Sequence, residues 1–168
     1  MFKIDDVVLY GSNGVCRITD ITEREFCGRR GRYYELEPVF DRSCTFYVDV
    51  DNDQAVSRLR PLLTPDGVER MISAMPEAAE QWEDNPKQRR ARFSQIISRG
   101  DRMELIGMIK ALHFHQLRQQ ASGKKLNMSD EQSLRLAERI IHQEIALSLH
   151  ILPEQVVPYI TSRLQQAN

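Results

Sequence analysis

The sequence predicts an α+β chain with segregated parts, in which a small five-stranded β-barrel is followed by a compact α-helical domain. Three observations predict this class. Hydrophobicity alternates with a period of two in the first sixty residues, turn residues separate the alternating segments, and beyond Thr64 the apolar residues recur at helical spacing. The change of pattern divides the chain into a barrel domain at residues 1–63 and a helical domain at residues 64–168.

Five short segments have the pattern of half-buried strands. The clearest is residues 44–50, in which the apolar side chains fall on one face and Thr45, Tyr47 and Asp49 fall on the other. Turns are predicted at residues 11–14, 27–31 and 51–53. Five short strands in about sixty residues are typical of an SH3-like or Tudor-like barrel. The other four strands are predicted at residues 7–10, 15–21, 32–38 and 57–60.

Prolines and capping residues mark the predicted helices. Thr64 is an expected N-cap, and Gly100 followed by Asp101 has the pattern of one helix ending and the next beginning. Apolar stripes at helical spacing predict that these short helices pack as a bundle. The predicted helices span residues 65–75, 76–82, 86–99 and 101–120, with two more beginning at Ser129 and Pro153.

Composition and reactive residues favour a cytoplasmic protein that is not an enzyme. No segment approaches the roughly 20 apolar residues of a membrane-spanning helix, and the first residues lack the apolar core of a signal peptide. The three cysteines and four histidines match no zinc or disulfide spacing. No nucleotide-binding glycine loop or nucleophile elbow is present. We therefore expect no catalytic residues, no metal, no cofactor, no small-molecule substrate and no membrane partner.

A basic run without acidic residues occupies the helix predicted at residues 86–99. Arg89 and Arg92 lie three residues apart and are expected to share an exposed face, while Phe93 and Ile97 form an apolar ridge. Two interpretations stay open, namely an ordinary solvated surface or a face that contacts phosphate through its guanidinium groups. The run contains Lys87, Arg89, Arg90, Arg92 and Arg99.

Trp82 is the only tryptophan and lies just before the basic run. One interpretation makes it a packing anchor between helices. The other makes it an exposed wedge that inserts at a disrupted base step of DNA. Glu83 and Asp84 follow it directly and would repel phosphates unless their side chains turn away.

Taken together, several segments resemble the CarD-like bacterial transcription regulators, and a similar module occurs in the transcription-repair coupling factor. The resemblance implies a Tudor-like domain that docks on the β subunit of bacterial RNA polymerase. It also implies a helical domain that reaches promoter DNA and stabilises promoter complexes. The segments that carry it are residues 2–10, 14–18, 33–36 and 58–61 in the first domain, and 89–93 and 98–101 in the helices.

The resemblance implies specific contact residues. Arg24 occupies the position of the family's polymerase-contacting arginine, Tyr47 stands where the family has a second basic contact, and Phe26 is their apolar neighbour. An exposed strand edge would extend a sheet on the polymerase. The alternative is an adaptor that binds polymerase or another protein without touching DNA. The residues expected to contact DNA are Trp82, Arg89, Arg90 and Arg92.

Overall fold

A computed structural model describes residues 1–167 of the chain, which divide into two compact units, Met1–Leu62 and the residues from Leu63 onward. The α+β class is confirmed, because these residues form a five-stranded antiparallel sheet and six helices. The first unit contains β1 (Val7–Tyr10), β2 (Val15–Phe26), β3 (Arg29–Pro38), β4 (Phe46–Asp49), α1 (Asp53–Val56) and β5 (Leu59–Pro61). The second contains α2 (Pro65–Ala74), α3 (Pro86–Arg99), α4 (Arg102–Ala121), α5 (Met128–Leu149) and α6 (Val156–Gln166).

The strands are ordered β4-β3-β2-β1-β5, and every neighbouring pair is antiparallel. β4 and β5 are therefore the two edge strands. Within residues 1–167 no ladder joins these two strands to close the sheet into a full barrel. The sheet thus leaves an edge open on β4 that main-chain hydrogen bonds from another chain can extend.

The hairpin between β2 and β3 differs from the sequence prediction. Its turn is not five residues long, because both strands continue until only Cys27 and Gly28 separate them. These two residues have φ angles of 51° and 75°, the pair of positive values found in tight two-residue hairpin turns. The short turn extends the ladder as far as the Phe26–Arg29 pair and lengthens both strands.

One cluster of buried side chains forms the core of the sheet unit. Tyr34, the largest, is 1% exposed, and its hydroxyl accepts a hydrogen bond from the backbone N–H of Phe2 at 3.2 Å. Burial raises the pKa of the Cys16 thiol to about 12, so this thiol stays protonated and packs as a small apolar side chain. The core residues are Val8, Cys16, Ile18, Tyr34, Leu36, Val48 and Leu59.

Local capping explains most of the helix boundaries. The Thr64 hydroxyl accepts from the N–H of Gly67, and Asp101 accepts from the N–H groups of Met103 and Glu104, as the sequence predicts. Helix α5 begins earlier than predicted, since Asn127 rather than Ser129 caps it by accepting from the Asp130 N–H at 2.8 Å.

The prediction of a helix at residues 76–82 is wrong. Only Met75–Glu77 form a 3₁₀ turn, and the following segment runs without regular structure against α4. A Cβ added to Gly107 of α4 would lie 1.9 Å from the carbonyl oxygen of Ala79, so this glycine permits the close approach. The Gln81 N–H donates to the Gly107 carbonyl at 3.2 Å, and this tertiary contact replaces the helical hydrogen bonds.

Candidate interaction surface

A β-bulge in β2 decides which side chains face outward. Ile18 pairs with Leu36, but Asp20 pairs with Glu35, so Thr19 is an extra residue without an opposite partner. In a regular strand Arg24, six positions after Ile18, would face the core as Ile18 does. Because the bulge shifts the alternation by one residue, Ile21 turns inward and Arg24 turns outward.

The outward side chains of β2, β3 and β4 collect on one surface. Residues directly opposite in an antiparallel ladder lie on the same face, and the pairs Thr22–Tyr33 and Glu35–Tyr47 connect the three strands. Phe26 packs edge-on against Tyr33, with ring centroids 4.8 Å apart, and lies 5.4 Å from the Tyr47 ring. We call this surface the arginine–aromatic face; it consists of Arg24, Phe26, Tyr33, Glu35 and Tyr47.

Arg24 lies at the centre of this face. Its guanidinium carbon is 4.6 Å from the centroid of the Tyr47 ring, a cation–π contact. Its Nη2 donates to Glu35 Oε2 at 3.2 Å, and its Nε donates to the Thr22 hydroxyl at 3.3 Å. These contacts orient the guanidinium while 44% of the side chain stays exposed to solvent. The face therefore offers a positioned cation beside three aromatic rings.

The open edge of β4 adjoins the arginine–aromatic face. The Val50 N–H bonds to the Arg32 carbonyl, and because antiparallel hydrogen bonding alternates, Val48 and Phe46 also direct their amides toward β3. The amide groups of Tyr47 accordingly point away from β3, toward the open edge. Tyr47 thus presents a ring to one face and main-chain groups to the edge.

Sequence reasoning placed Arg24, Phe26 and Tyr47 together, and the structure brings all three onto one face. It missed Tyr33 and Glu35, which complete that face. A signal was available, because Tyr34 and Leu36 are apolar and alternate with these two residues along the strand. The spacing of three between Ile18 and Ile21 was a second signal, since two core-facing residues cannot lie three apart in a regular strand.

Arg89 does not lie on the surface, so the expectation of an exposed face shared with Arg92 is wrong. Its side chain is 5% exposed and pairs with Asp130, with Nε to Oδ1 at 3.0 Å and Nη2 to Oδ2 at 2.8 Å. Its Nη1 donates to the carbonyls of Glu83 and Asp84 at 2.9 and 3.2 Å. Its guanidinium is thus engaged inside the helical unit, which is incompatible with a phosphate contact in this conformation.

Trp82 is half-buried and makes contacts within its own unit. The Arg89 guanidinium carbon lies 4.4 Å from the centroid of the indole, and the His115 ring lies 4.4 Å from it. The indole N–H donates to Asp84 Oδ1 at 3.0 Å, so this carboxylate turns back onto the ring. This arrangement fits the packing-anchor interpretation and leaves the indole engaged on several sides.

The two remaining predicted DNA contacts differ from each other. Arg90 is exposed on α3. Arg92 is 40% exposed, and its Nη2 donates to Gln81 Oε1 at 3.0 Å and lies 3.5 Å from Glu104. Glu104 also pairs with Arg99 at 3.5 Å. Part of the positive charge of the basic run is thus balanced by this carboxylate.

Among residues 1–167 no group of three histidine, cysteine or acidic side chains is placed to hold a metal ion. No helix in the described part of the chain has the length and apolar character that crossing a membrane requires.

These features define a small antiparallel sheet module with an arginine–aromatic face beside an open edge. Residues 2–60, 59 of the 168 in the chain, match the family described as CarD-like/TRCF RID domain. The sheet unit therefore belongs to this family of domains, a family whose members interact with the RNA polymerase β subunit. The match ends before the helical unit, and no functionally curated protein matches the chain.

Proposed function

We propose that this protein is a transcription regulator that binds the β subunit of bacterial RNA polymerase through the arginine–aromatic face and the adjoining edge of β4. The observation that carries the proposal is the exposed Arg24–Tyr47 pair on a domain of the CarD-like/TRCF RID family. Arginine and tyrosine are enriched among the residues that dominate binding energy at protein interfaces.

The geometry supports two simultaneous modes of contact. A strand of the partner pairing with β4 would supply main-chain hydrogen bonds and fix the register. The rings of Phe26 and Tyr47 would then cover apolar surface on that partner, while Arg24 would pair with an acidic group. Neither mode requires rearrangement of the sheet, because Glu35 and Thr22 already orient the guanidinium.

The first test is capture of purified core RNA polymerase by the tagged full-length chain. We expect Arg24→Glu to abolish capture, because the substitution replaces the cation with a like charge facing an acidic partner. Arg17→Glu is the matched control, since Arg17 lies on the same strand with similar exposure, 47% against 44%, and roughly 20 Å away. Capture of polymerase by Arg24→Glu at the level of Arg17→Glu would contradict the proposal.

Contact with promoter DNA is the second part of the proposal. The helical unit presents exposed cations on α3, with Arg90 and Lys87 in solvent and Arg92 partly so. Such cations would add electrostatic affinity for the phosphate backbone and help to hold a promoter complex together. In this version of the mechanism Trp82 and Arg89 act inside the unit and shape α3 rather than contact bases.

The adaptor without direct DNA contact is the second candidate, and the interior position of Arg89 favours it. With Arg89 paired to Asp130, and with Arg92 and Arg99 both near Glu104, fewer cations are available than the sequence suggests. Neither candidate requires catalysis, and we propose that the protein is not an enzyme.

A salt titration separates the two candidates. If the helical unit contacts several phosphates, its contribution to promoter affinity in the polymerase complex will fall steeply between about 50 and 200 mM salt. Arg90→Glu will then remove most of that contribution. Arg135→Glu on α5, which is also exposed, is the control and will leave it unchanged. If the protein adds no salt-dependent affinity to polymerase alone, the adaptor is the correct candidate.

A further inference from the structure

An apolar groove of about 460 Å³ runs between α4, α5 and α6 of the helical unit. Its volume lies within the range of pockets that hold small molecules. The groove is open to solvent along α6, where Val157 is 54% exposed. Its apolar lining comes mainly from Ile106 and Ile109 of α4, Ile141 of α5, and Val157, Ile160 and Leu164 of α6.

Lys110 provides a cation in this groove. Its Nζ donates to the carbonyl oxygens of Pro76 and Ala78, each at 2.9 Å, which fixes the ammonium in place. An ammonium has three N–H groups, and the third has no acceptor among residues 1–167. Both acceptors are neutral, so the positive charge of Lys110 is positioned without being balanced by an anion.

The other charged groups of the groove balance one another. His113 of α4 and Glu138 of α5 form an ion pair, with Nε2 and Oε1 2.7 Å apart. Burial lowers the pKa of His142, which favours its neutral form near neutral pH. Lys110 is thus the one uncompensated charge among the described residues that line the groove.

We propose that this groove binds a single-chain amphipathic carboxylate of the fatty-acid class, with the chain along the isoleucine-rich floor and the carboxylate on Lys110. A flexible acyl chain can follow an apolar surface, and a carboxylate accepts a charge-assisted hydrogen bond from the third ammonium N–H. The compound is a ligand rather than a substrate. The site is separate from the arginine–aromatic face and does not rest on the proposed function.

The test uses decanoate and decanol as probes of the full-length protein, with binding measured by isothermal titration calorimetry below the concentration at which either probe self-associates. We expect saturable 1:1 binding of decanoate. Lys110→Met keeps the apolar stem but removes the charge, and we expect it to weaken decanoate about tenfold and to leave decanol unchanged. Lys124→Met in the α4–α5 loop is the control and will not alter either affinity.

A second variant fills the groove from an exposed position and does not depend on Lys110. Thr161 lines the groove and Ser162 follows it on α6, and both side chains are exposed. Thr161→Trp will abolish decanoate binding while Ser162→Trp retains it, with circular dichroism melting showing that both fold. Three results would overturn the proposal. The first is equal affinity of the two tryptophan variants for decanoate, and the second is the absence of saturable binding to the wild type. The third is equal weakening of decanoate and decanol binding by Lys110→Met.

Discussion

Arg89 and Asp130 form a bidentate ion pair that is buried in the helical unit, and 41 positions separate them in the sequence. The pair joins the start of α3 to the first turn of α5. Asp130 also accepts from the side chain of Asn127, the residue that caps α5. Arg89, one of the cations of the basic run, is therefore part of the internal structure of the helical unit.

Removing Arg89 should destabilise the protein severely. Arg89→Met leaves Asp130 as an uncompensated buried charge, and we expect the free energy of unfolding to fall by about 3–5 kcal/mol. Arg90→Met changes an exposed neighbour and should stay within about 0.5 kcal/mol of the wild type. Urea unfolding monitored by circular dichroism measures both.

The double variant Arg89→Met/Asp130→Leu removes both charges and should recover most of the lost stability. A fully stable Arg89→Met protein would show instead that the pair contributes little, and the interior role assigned to Arg89 would be wrong.

Deleting Thr19 should leave the arginine–aromatic face in place. Without the extra residue β2 becomes a regular strand in which Asp20 stays opposite Glu35, so Ile21 still faces the core and Arg24 still faces outward. We therefore expect the deletion variant to retain polymerase binding. Deleting Thr19 and Asp20 together removes one residue too many, so it should reverse the alternation and abolish binding with a large fall in thermal stability. Thr19→Val loses only the hydroxyl contact to the Glu35 carbonyl, at 3.3 Å, and should retain binding. Equal binding by the single and the double deletion variants would refute the alternation assigned to β2.

The turn between β2 and β3 offers a stabilising substitution. Cys27 has a φ of 51°, a value that asparagine tolerates better than cysteine, and Gly28 already follows it. Cys27→Asn creates the Asn-Gly pair preferred in such turns and should raise the free energy of unfolding by about 0.5–1 kcal/mol. Cys44→Asn, at another exposed cysteine, controls for thiol removal. A decrease in stability for Cys27→Asn would show that the turn geometry is misassigned.

The His113–Glu138 pair should make stability depend on pH. The hydrogen bond to Glu138 raises the pKa of His113 above its usual 6.5, and the same bond lowers the pKa of Glu138 below 4.5. The histidine contribution is complete below pH 6.5 and is lost as pH rises through the raised value. The carboxylate contribution is present above pH 4.5 and is lost as pH falls through the lowered value.

The pair therefore stabilises the fold most between about pH 4.5 and 6.5. His113 is 48% exposed, so we expect a contribution below about 1 kcal/mol. Comparing the wild type with His113→Gln in urea should show a difference at pH 5.5 that shrinks by pH 8.5. The titration of His142 changes stability in the opposite direction, because its lowered pKa makes the fold more stable at higher pH. The comparison therefore uses the difference in free energy of unfolding between wild type and His113→Gln at each pH. A difference independent of pH would contradict the assignment.

The strands and most of the helices could be predicted because their signals are local. Alternation located all five strands, and the cap residues Thr64 and Asp101 located two helix starts. The predictions that failed concern features that depend on tertiary contacts. The helix predicted at 76–82 gives way to packing against Gly107, and the burial of Arg89 depends on a distant carboxylate. Nothing in the local pattern distinguishes Arg89 from its exposed neighbour Arg90.

For the interaction surface, the resemblance identified Arg24 and Tyr47, but their contact depends on strand register. The bulge at Thr19 brings Glu35 opposite Asp20 in one ladder, and the regular β3–β4 ladder places Tyr47 opposite Glu35 in the next. The resemblance to CarD-like proteins named the residues, and the sheet explains how they reach one face.

Photo-crosslinking from the edge of β4 tests the central claim most directly. A benzophenone amino acid replaces Thr45, an exposed residue just before β4, and in a second protein it replaces Ser12 in the exposed turn after β1. With core RNA polymerase, we predict that position 45 crosslinks to the β subunit, that position 12 does not, and that Arg24→Glu removes the product. A product on a different subunit, or one that persists undiminished in Arg24→Glu, would contradict docking through the arginine–aromatic face.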